Sequence, residues 1–484
     1  MTAVPLQRAP NGSLLLPSVQ KKADGTPRFH LSLPPGYADD PGLEILFRLE
    51  TERAGYEFPT RAFFDAHLEP DDVFIDVGAH LGIYSLGAAT RHPGTLTVIA
   101  FEPHPLNQLT LLRQLALNGQ QHAVELVCAA AGAAAGLGKL WPYSTMGNFI
   151  AAHARTDAPE DNPPLTVPIV PLDLLFAERP ALAGRRVFLK IDVEGYEPEV
   201  VAGAARLLAS GQVAAAVLEK SDFYAEPGRH AAFDAMIGQF RGCGYAIHWF
   251  PHVHLPCALI PWVEGNETGN LVALAPGFAK RIAYDGPYAP YTGLPPPMKE
   301  DFTPADQAAL TERLIQARAS DGWRWANPRN LDAGAEARAA LALPHIPPRC
   351  SLLDLGAGLM QVVTKMKTGT AYTPVDLIRY AKATVVMDLN DGHFPGGAWD
   401  CALALELLEH IHDVPALLAR CRAACKRLIA TYRSIEELGD TTLRRQQGYF
   451  NDFDRAALQA KLRAAGWQVA TAEVRDGYSL FVCE

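Results

Sequence analysis

The sequence predicts an α/β protein made of two tandem units, each a mostly parallel sheet flanked by helices and closed by an antiparallel strand. Three observations carry this. Apolar runs at Val73–Val77, Thr97–Phe101, Val124–Ala129, Val187–Val193 and Ala214–Glu219 alternate with amphipathic segments starting near Tyr84, Leu106, Pro198 and His230. Continuous apolar strands separated by helices are the pattern of a parallel sheet covered on both faces. The alternation begins again after a Pro-rich stretch, at Ser351–Leu355, Ala371–Val375, Thr384–Met387, Cys401–Leu405 and Leu428–Tyr432. Each unit ends in a strand pair flanking a turn: Tyr245–Phe250 with Leu271–Leu274, and Trp467–Glu473 with Ser479–Cys483. The length of 484 residues suits two or three domains.

Taken in order, residues 1–42 are rich in Pro and turn formers and read as an extension. A helical pattern from Leu43 into Phe64 opens the first unit, 43–276. Prolines 287, 290, 295, 296 and 297 make 277–302 a stiff linker. Two helical stretches, Pro304–Ala319 and Leu331–Leu343, open the second unit, 303–484. Hydrophobic residues are 49% and charged residues 20%, which excludes a disordered or disulfide-scaffold protein. The net charge of −10 lacks the basic footprint of a nucleic-acid binder. The eight cysteines are scattered without a Cys-x-x-Cys, which fits a reducing cytoplasm. Cys421 and Cys425 read as two small apolar side chains on one helix face. Nothing resembles a signal-peptide core or a membrane span. The sequence assigns no oligomeric state.

Each unit carries a glycine turn after its first strand. One runs Asp76-Val77-Gly78-Ala79-His80-Leu81-Gly82, the other Asp354-Leu355-Gly356-Ala357-Gly358-Leu359-Met360. In both, a buried strand ends in Asp-x-Gly and leads through small residues into a helix. Glycine lets the backbone turn sharply and approach a ligand, and a helix start presents free N–H groups. An acid closes the next strand in each unit, Glu102 and Asp376, where it can bind ribose hydroxyls. A nicotinamide oxidoreductase would use the same acid, but it needs Gly-x-Gly-x-x-Gly to seat a pyrophosphate, and neither turn has it. Asp before the glycines suits a ligand with a cationic amino-acid end, such as S-adenosylmethionine (SAM).

From about Phe58 to Pro276 the chain resembles the FkbM-type SAM-dependent methyltransferases. The likeness rests on Asp76-Val-Gly78-Ala-His80-Leu-Gly82; Glu102-Pro103 with Asn107 and Asn118; Lys190-Ile-Asp192-Val-Glu194-Gly195-Tyr-Glu197; and Gly269-Asn270-Leu271. His80 departs from the Asn expected there. From about 303 to 484 the chain resembles a second class I methyltransferase, on Asp354-Leu-Gly356-Ala-Gly358, Asp376, Asp388-Leu-Asn390 and Glu406-Leu-Leu-Glu409-His410. Met360 stands there in place of a third glycine. The resemblance implies two Rossmann-like domains and methylation of a hydroxyl on a saccharide, a glycan precursor (lipid-linked ones included) or a natural product. It implies that Asp76, Gly78, His80, Gly82 and Glu102 bind SAM in the first unit. Asp354, Gly356, Gly358 and Asp376 take those places in the second, where Asp388 reaches the adenine side of the cofactor. The other reading makes the second unit a binding or scaffold module.

Lys190 and Asp192 lie two apart on a central strand and so share one face. Charges there are expensive unless paired or functional. With Glu194 they sit at the strand's carboxyl end, where open α/β sheets bind ligands, so all three are catalytic candidates. Asp192 or Glu194 can remove a hydroxyl proton directly. Alternatively, Asp192 and Glu219 hold a divalent cation; the metal-free version is the expectation. Glu197 and Glu199 suit a helix start. His248, His252 and His254 read as strand and turn histidines. Asp452-Phe453-Asp454 reads as a helix cap. Glu409-His410 fits both an acceptor site and a helix start.

Overall fold

The computed structural model describes residues 7–9, 11–52, 55–142, 148–150, 163–219, 229–264, 270–280, 303–331, 334–366, 369–381 and 383–484. The linker expected at 277–302 lies almost wholly outside them, as does Gly269. The described residues fall into two compact units: those within Met1–Trp249 and Gly269–Gly286, and those within Phe250–Thr268 and Pro287–Glu484.

The first unit begins with three short strands, β1 (Gln7–Arg8), β2 (Leu14–Pro17) and β3 (His30–Leu33), which form an antiparallel sheet. Two helices follow, α1 (Pro41–Glu52) and α2 (Phe58–His67), where the sequence pattern suggested one. The main sheet is built from β4 (Val73–Val77), α3 (Ile83–Ala89), β5 (Thr97–Phe101), α4 (Pro105–Leu117) and β6 (Val124–Val127). Four strands, β7 (Ala130–Ala131), β8 (Gly136–Pro142), β9 (Asn148–Ile150) and β10 (Leu165–Val170), make a separate small sheet. The main sheet resumes with α5 (Leu172–Ala177), β11 (Val187–Ile191), α6 (Glu197–Ala202), α7 (Ala205–Ala209), β12 (Val213–Glu219), α8 (Arg229–Gly242) and β13 (Ala246–Trp249). After the excursion Phe250–Thr268, which holds β14 (Ile260–Pro261), the unit closes with β15 (Asn270–Leu274).

Within this unit the order is β13-β15-β12-β11-β4-β5-β6. The five strands from β12 to β6 are parallel, and β15 runs antiparallel to both of its neighbours. Every residue of β4 and β11 is buried, as the apolar runs require. The strand order reverses between β4 and β11, which opens a crevice at their carboxyl ends.

The amino-terminal residues are more than an extension. The side-chain amides of Gln114 on α4 and of Asn118, which ends it, bond both backbone groups of Ser32 and His30, at 2.7–2.9 Å. They satisfy the free edge of β3 as another strand would.

The second unit has helices α9 (Pro304–Ala317), α10 (Gly322–Trp325) and α11 (Ala335–Ala342), then β16 (Ser351–Leu355), β17 (Ala371–Asp376), β18 (Val385–Val386) and β19 (Trp399–Leu405). It continues with α12 (Val414–Ala424), β20 (Cys425–Tyr432), α13 (Thr441–Gln446), α14 (Arg455–Ala464), β21 (Val469–Arg475) and β22 (Tyr478–Cys483). The order β18-β17-β16-β19-β20-β22-β21 repeats that of the first unit strand for strand, again with one antiparallel strand at the same place. Both units are Rossmann-like.

Three expectations need correction. The second glycine turn leads only into a 3-10 turn, Val363–Lys365, and not into an α-helix. Cys425 opens β20, so it does not share a helix with Cys421. Phe250–Thr268, expected in the first unit, sorts with the second, where Ala258 N–H donates to Leu377 O and Arg379 N–H to Pro256 O.

Candidate functional site

In the first unit β4 ends in the glycine turn. Gly78, His80 and Gly82 all take left-handed backbone, at φ 79°, 49° and 81°. The N–H groups of Gly78 and Ala79 both donate to Phe101 O on β5, which folds the loop back over the sheet. Glycine is required at two of these positions. A Cβ on Gly78 would lie 1.9 Å from the Asp192 carbonyl oxygen, and one on Gly82 would lie 2.1 Å from Leu111 Cδ1. The third is taken by His80, at a strained φ for a residue with a Cβ.

Glu102 locks the loop from the end of β5. Its carboxylate accepts from His80 N–H at 2.8 Å and from His104 N–H at 2.9 Å. Burial pushes its carboxyl up, and these hydrogen bonds pull against that shift.

Asp76 is fully buried. It accepts from Ser85 N–H at 3.0 Å and Ser85 Oγ at 2.6 Å, near the start of α3. Lys190 Nζ lies 3.7 Å from Asp76, 3.0 Å from Asp192 and 3.1 Å from Gly78 O, over the Tyr84 ring at 5.1 Å. The register of β11 on β4 sets Lys190 directly beside Asp76. One ammonium thus ties the glycine turn to the end of β11.

The cavity above these strand ends has a volume of about 130 Å³. Gly78, His80, Glu102, Lys190, Asp192, Glu194 and Glu219 are among the residues on its wall. Asp76 and Gly82 are not among them; Asp76 works from behind the wall. Asp192, Glu194 and Glu219 each offer one carboxylate oxygen, and these atoms lie within 4.8 Å of one another. Burial raises Asp192, but Lys190 and hydrogen bonds from Glu219 and Lys190 outweigh it and hold the carboxyl below its usual range. Glu219 is driven well above the carboxylate range by burial and by the charges of Asp192 and Glu194. The pair therefore titrates as a unit, with Asp192 ionised and Glu219 holding the proton.

Residues not singled out by sequence reasoning complete this end of the sheet. Tyr56 and Tyr84 line the cavity. Glu57 lies behind, buried, accepting from Tyr84 OH and from Asn270 Nδ2. Its one sequence signal is an acid directly before the Phe-Pro that starts α2.

In the second unit the loop repeats. Gly356, Gly358 and Met360 have φ 70°, 50° and 57°, and Gly356 and Ala357 N–H donate to Val375 O. Asp376 accepts from Gly358 N–H at 2.7 Å, as Glu102 does from His80. Asp354 accepts from Tyr372 OH at 2.5 Å. Burial pushes its carboxyl up to about 7, with Tyr372 lowering it and Asp376 raising it. Where the first unit has Lys190, the register of β19 places Leu403 beside Asp354. Asp388 accepts from Ser320 Oγ at 2.7 Å and Asn390 N–H at 2.9 Å. Asp354, Gly356, Gly358, Asp376 and Asp388 all line a cavity of about 280 Å³.

Other candidates resolve into structural roles. Glu197 accepts from Val193 and Gly195 N–H at the turn before α6. His252 Nδ1 accepts from His254 and Leu255 N–H, closing a turn. Asp454 caps α14 through Ala457 N–H, and Asp452 pairs with Arg444 and Arg445.

Residues 76–247 match the family model for the methyltransferase FkbM domain, and residues 323–472 match that for a methyltransferase domain. No curated protein matches the chain. Among solved structures, the methyltransferase FkbM of Methylobacillus flagellatus is 15% identical over 42% of this chain and 43% of its own, with a TM-score of 0.26. CalO1, a methyltransferase in calicheamicin biosynthesis in its SAH-bound form, is 16% identical over 31% and 53%, with a TM-score of 0.27. NcsB1, an O-methyltransferase from neocarzinostatin biosynthesis in complex with SAM and 2-hydroxy-5-methyl naphthoic acid, is 17% identical over 38% and 59%, at 0.26. The chain spans about half the length of these structures. By its two family matches, the chain carries an FkbM methyltransferase domain followed by a second methyltransferase domain.

Proposed function

We propose that the chain is a SAM-dependent methyltransferase that acts on a hydroxyl oxygen of a saccharide, a glycan precursor or a natural product, with catalysis in the first unit. The observation that carries this is the charge arrangement at the end of β11, where Lys190 holds Asp192 ionised beside Glu194 and Glu219 on the cavity wall. Carboxylates outnumber the one lysine there, so the cavity favours a ligand carrying positive charge, as SAM does. Gly78, His80 and Glu102 take its amino-acid and ribose ends, with Asp76 and Gly82 shaping the loop behind them. When bound, SAM supplies a methyl group activated by a sulfonium.

Asp192 accepts the acceptor's hydroxyl proton. Its low proton affinity suffices because that proton becomes strongly acidic only as the oxygen is alkylated. Lys190 fixes Asp192 in place, and protonated Glu219 donates to it. Glu194, in left-handed backbone at φ 54°, turns the chain across the cavity and orients the acceptor. Asp192→Asn is expected to lower turnover about 100-fold or more while SAM affinity holds. Near-normal turnover removes Asp192 from this role.

The three carboxylates also have the spacing a divalent cation would use. Lys190 already supplies positive charge to Asp192, so activity should survive exhaustive chelation. Loss of activity restored by Mg²⁺ would make Asp192, Glu194 and Glu219 metal ligands.

In the second unit, Asp354, Gly356, Gly358, Asp376 and Asp388 hold a second SAM. A non-catalytic reading of that unit has one observation in its favour: Leu403 stands in register where the first unit has Lys190.

A further inference from the structure

Among the described residues the second unit has no lysine-held carboxylate at the end of its central strand, yet its cavity contains a different proton acceptor. His410 follows β19 in a 3-10 turn, Leu408–His410, and lies on the cavity wall. Its Nδ1 is 2.8 Å from Gly448 O. A carbonyl only accepts, so Nδ1 carries the proton and the lone pair is on Nε2. Among the described residues Nε2 has no hydrogen-bond partner, and it is not among the buried unpartnered atoms either. It therefore reaches the cavity surface.

The support for this tautomer is built in. Gly448 follows α13 in left-handed backbone at φ 79°, which aims its carbonyl at the imidazole. A Cβ there would lie 2.5 Å from Arg324 Nε and 3.1 Å from Asp321 Oδ2. Phe450 N–H donates to Glu409 O at 2.7 Å, pinning the same two segments together. Trp325 and Tyr449 stand edge-on to the ring, with centroids at 4.8 and 5.3 Å. Arg324 and Arg338 also line the cavity, and Arg338 is paired with Glu406. Burial, then the charges of these two arginines, pushes the imidazole down to about 3, against a raising effect of the Gly448 bond. The ring stays neutral and its lone pair stays available.

The geometry points to His410 Nε2 as the proton acceptor of a second methyl-transfer centre, one that takes a hydroxyl acceptor in the cavity of the second unit. This rests on SAM binding in that unit. As the new C–O bond forms, the C–S bond breaks and its electron pair leaves with the sulfur of the thioether product. The hydroxyl proton passes to Nε2 and from there to solvent. Gly448 is the positioning residue, because it fixes which nitrogen is free.

Two measurements on the full chain test this. The first is ¹⁵N NMR of the histidine rings, with His410 assigned by its loss in His410→Asn. Expected are a protonated Nδ1 and an unprotonated Nε2 at pH 7, still neutral at pH 5; the opposite tautomer or a charged ring overturns the proposal.

The second uses methyl-labelled SAM and a small-molecule extract of the source cells, with the first centre silenced by Asp192→Asn. Residual labelling is expected, and adding His410→Asn should cut it about 100-fold or more. Asparagine can still donate to Gly448 O, so folding and SAM binding in the second unit should persist, which calorimetry checks. Undiminished labelling, or none at all from the Asp192→Asn chain with SAM bound in the second unit, overturns the second centre. Failure of either unit to bind SAM would instead overturn the reading on which this rests.

Discussion

In the first unit the left-handed loop positions are Gly78, His80 and Gly82; in the second they are Gly356, Gly358 and Met360. Counted from the aspartate, the positions are the same. So are the hydrogen bonds: the third residue's N–H donates back to an alanine carbonyl at 2.7 Å from Gly82 and 2.8 Å from Met360. Each loop places a residue with a Cβ at one of the three. In the first unit the two glycines are where a Cβ has no room, 1.9 Å from Asp192 O at Gly78 and 2.1 Å from Leu111 at Gly82, whereas in the second unit a Cβ would meet only Leu407 at Gly356 and Leu331 at Gly358. The number of glycines is therefore a poor measure of whether the loop is formed, and Met360 does not mark a broken site. The units differ instead in charge. Asp76 has Lys190 beside it, whereas Asp354 has Tyr372 and Leu403.

The sharpest way to break this comparison is one substitution made in both loops. Gly78→Ala sets a Cβ against the backbone oxygen of Asp192, which cannot swing away, and should destabilise the first unit by about 3 kcal/mol or more. Gly356→Ala meets only the flexible Leu407 Cδ1, at 3.1 Å, and should destabilise by about 1–2 kcal/mol through its φ alone. Thermal unfolding of the two variants checks this; equal losses would mean that the loops are not packed differently.

The charge difference has a pH signature. Asp354 is pushed up to about 7, so it gains a proton as pH falls through neutrality. SAM affinity in the second unit should drop from pH 8 to pH 6, by at most about tenfold per unit of pH. In the first unit Lys190 pulls Asp76 back toward its ionised form, and the change should be smaller. The ligand-free second unit should respond in the opposite sense. Its folded-state pKa lies above the unfolded value, so stability falls as pH rises from about 4 to 7. Titrations at three pH values decide this, and identical profiles for the two sites would contradict it.

The smallest effect is expected at Met360. Met360→Gly relieves left-handed strain and should raise stability by up to about 1 kcal/mol, read as a higher melting temperature. A loss there would mean that the Met360 side chain contributes more than its backbone strain takes away.

The strands of the main sheets and the loops were legible in the sequence because apolar runs, Asp-x-Gly turns and strand-end acids act locally; the order of the strands was not. Lys190 beside Asp192 was legible from the two-residue period of a strand. The small sheet of β7 to β10 was not: β7 is only two alanines, β8 interleaves its apolar residues with glycines and a lysine, and a proline interrupts β10. Nor was the amino-terminal sheet, whose edge is satisfied by the amides of Gln114 and Asn118, more than eighty residues away. In the sites, Glu57 and Gly448 were missed for one reason: each acts through a hydrogen bond to a residue distant in sequence, Tyr84 and His410. The α-helix expected after the second loop failed to form despite the same turn, and a 3-10 turn stands in its place.

Two SAM pockets in one chain are the central proposal, and calorimetric titration of SAM into the intact protein tests it most directly. Two sites are expected, one removed by Glu102→Ala and the other by Asp376→Ala. A single site, or one that survives both substitutions, would contradict it.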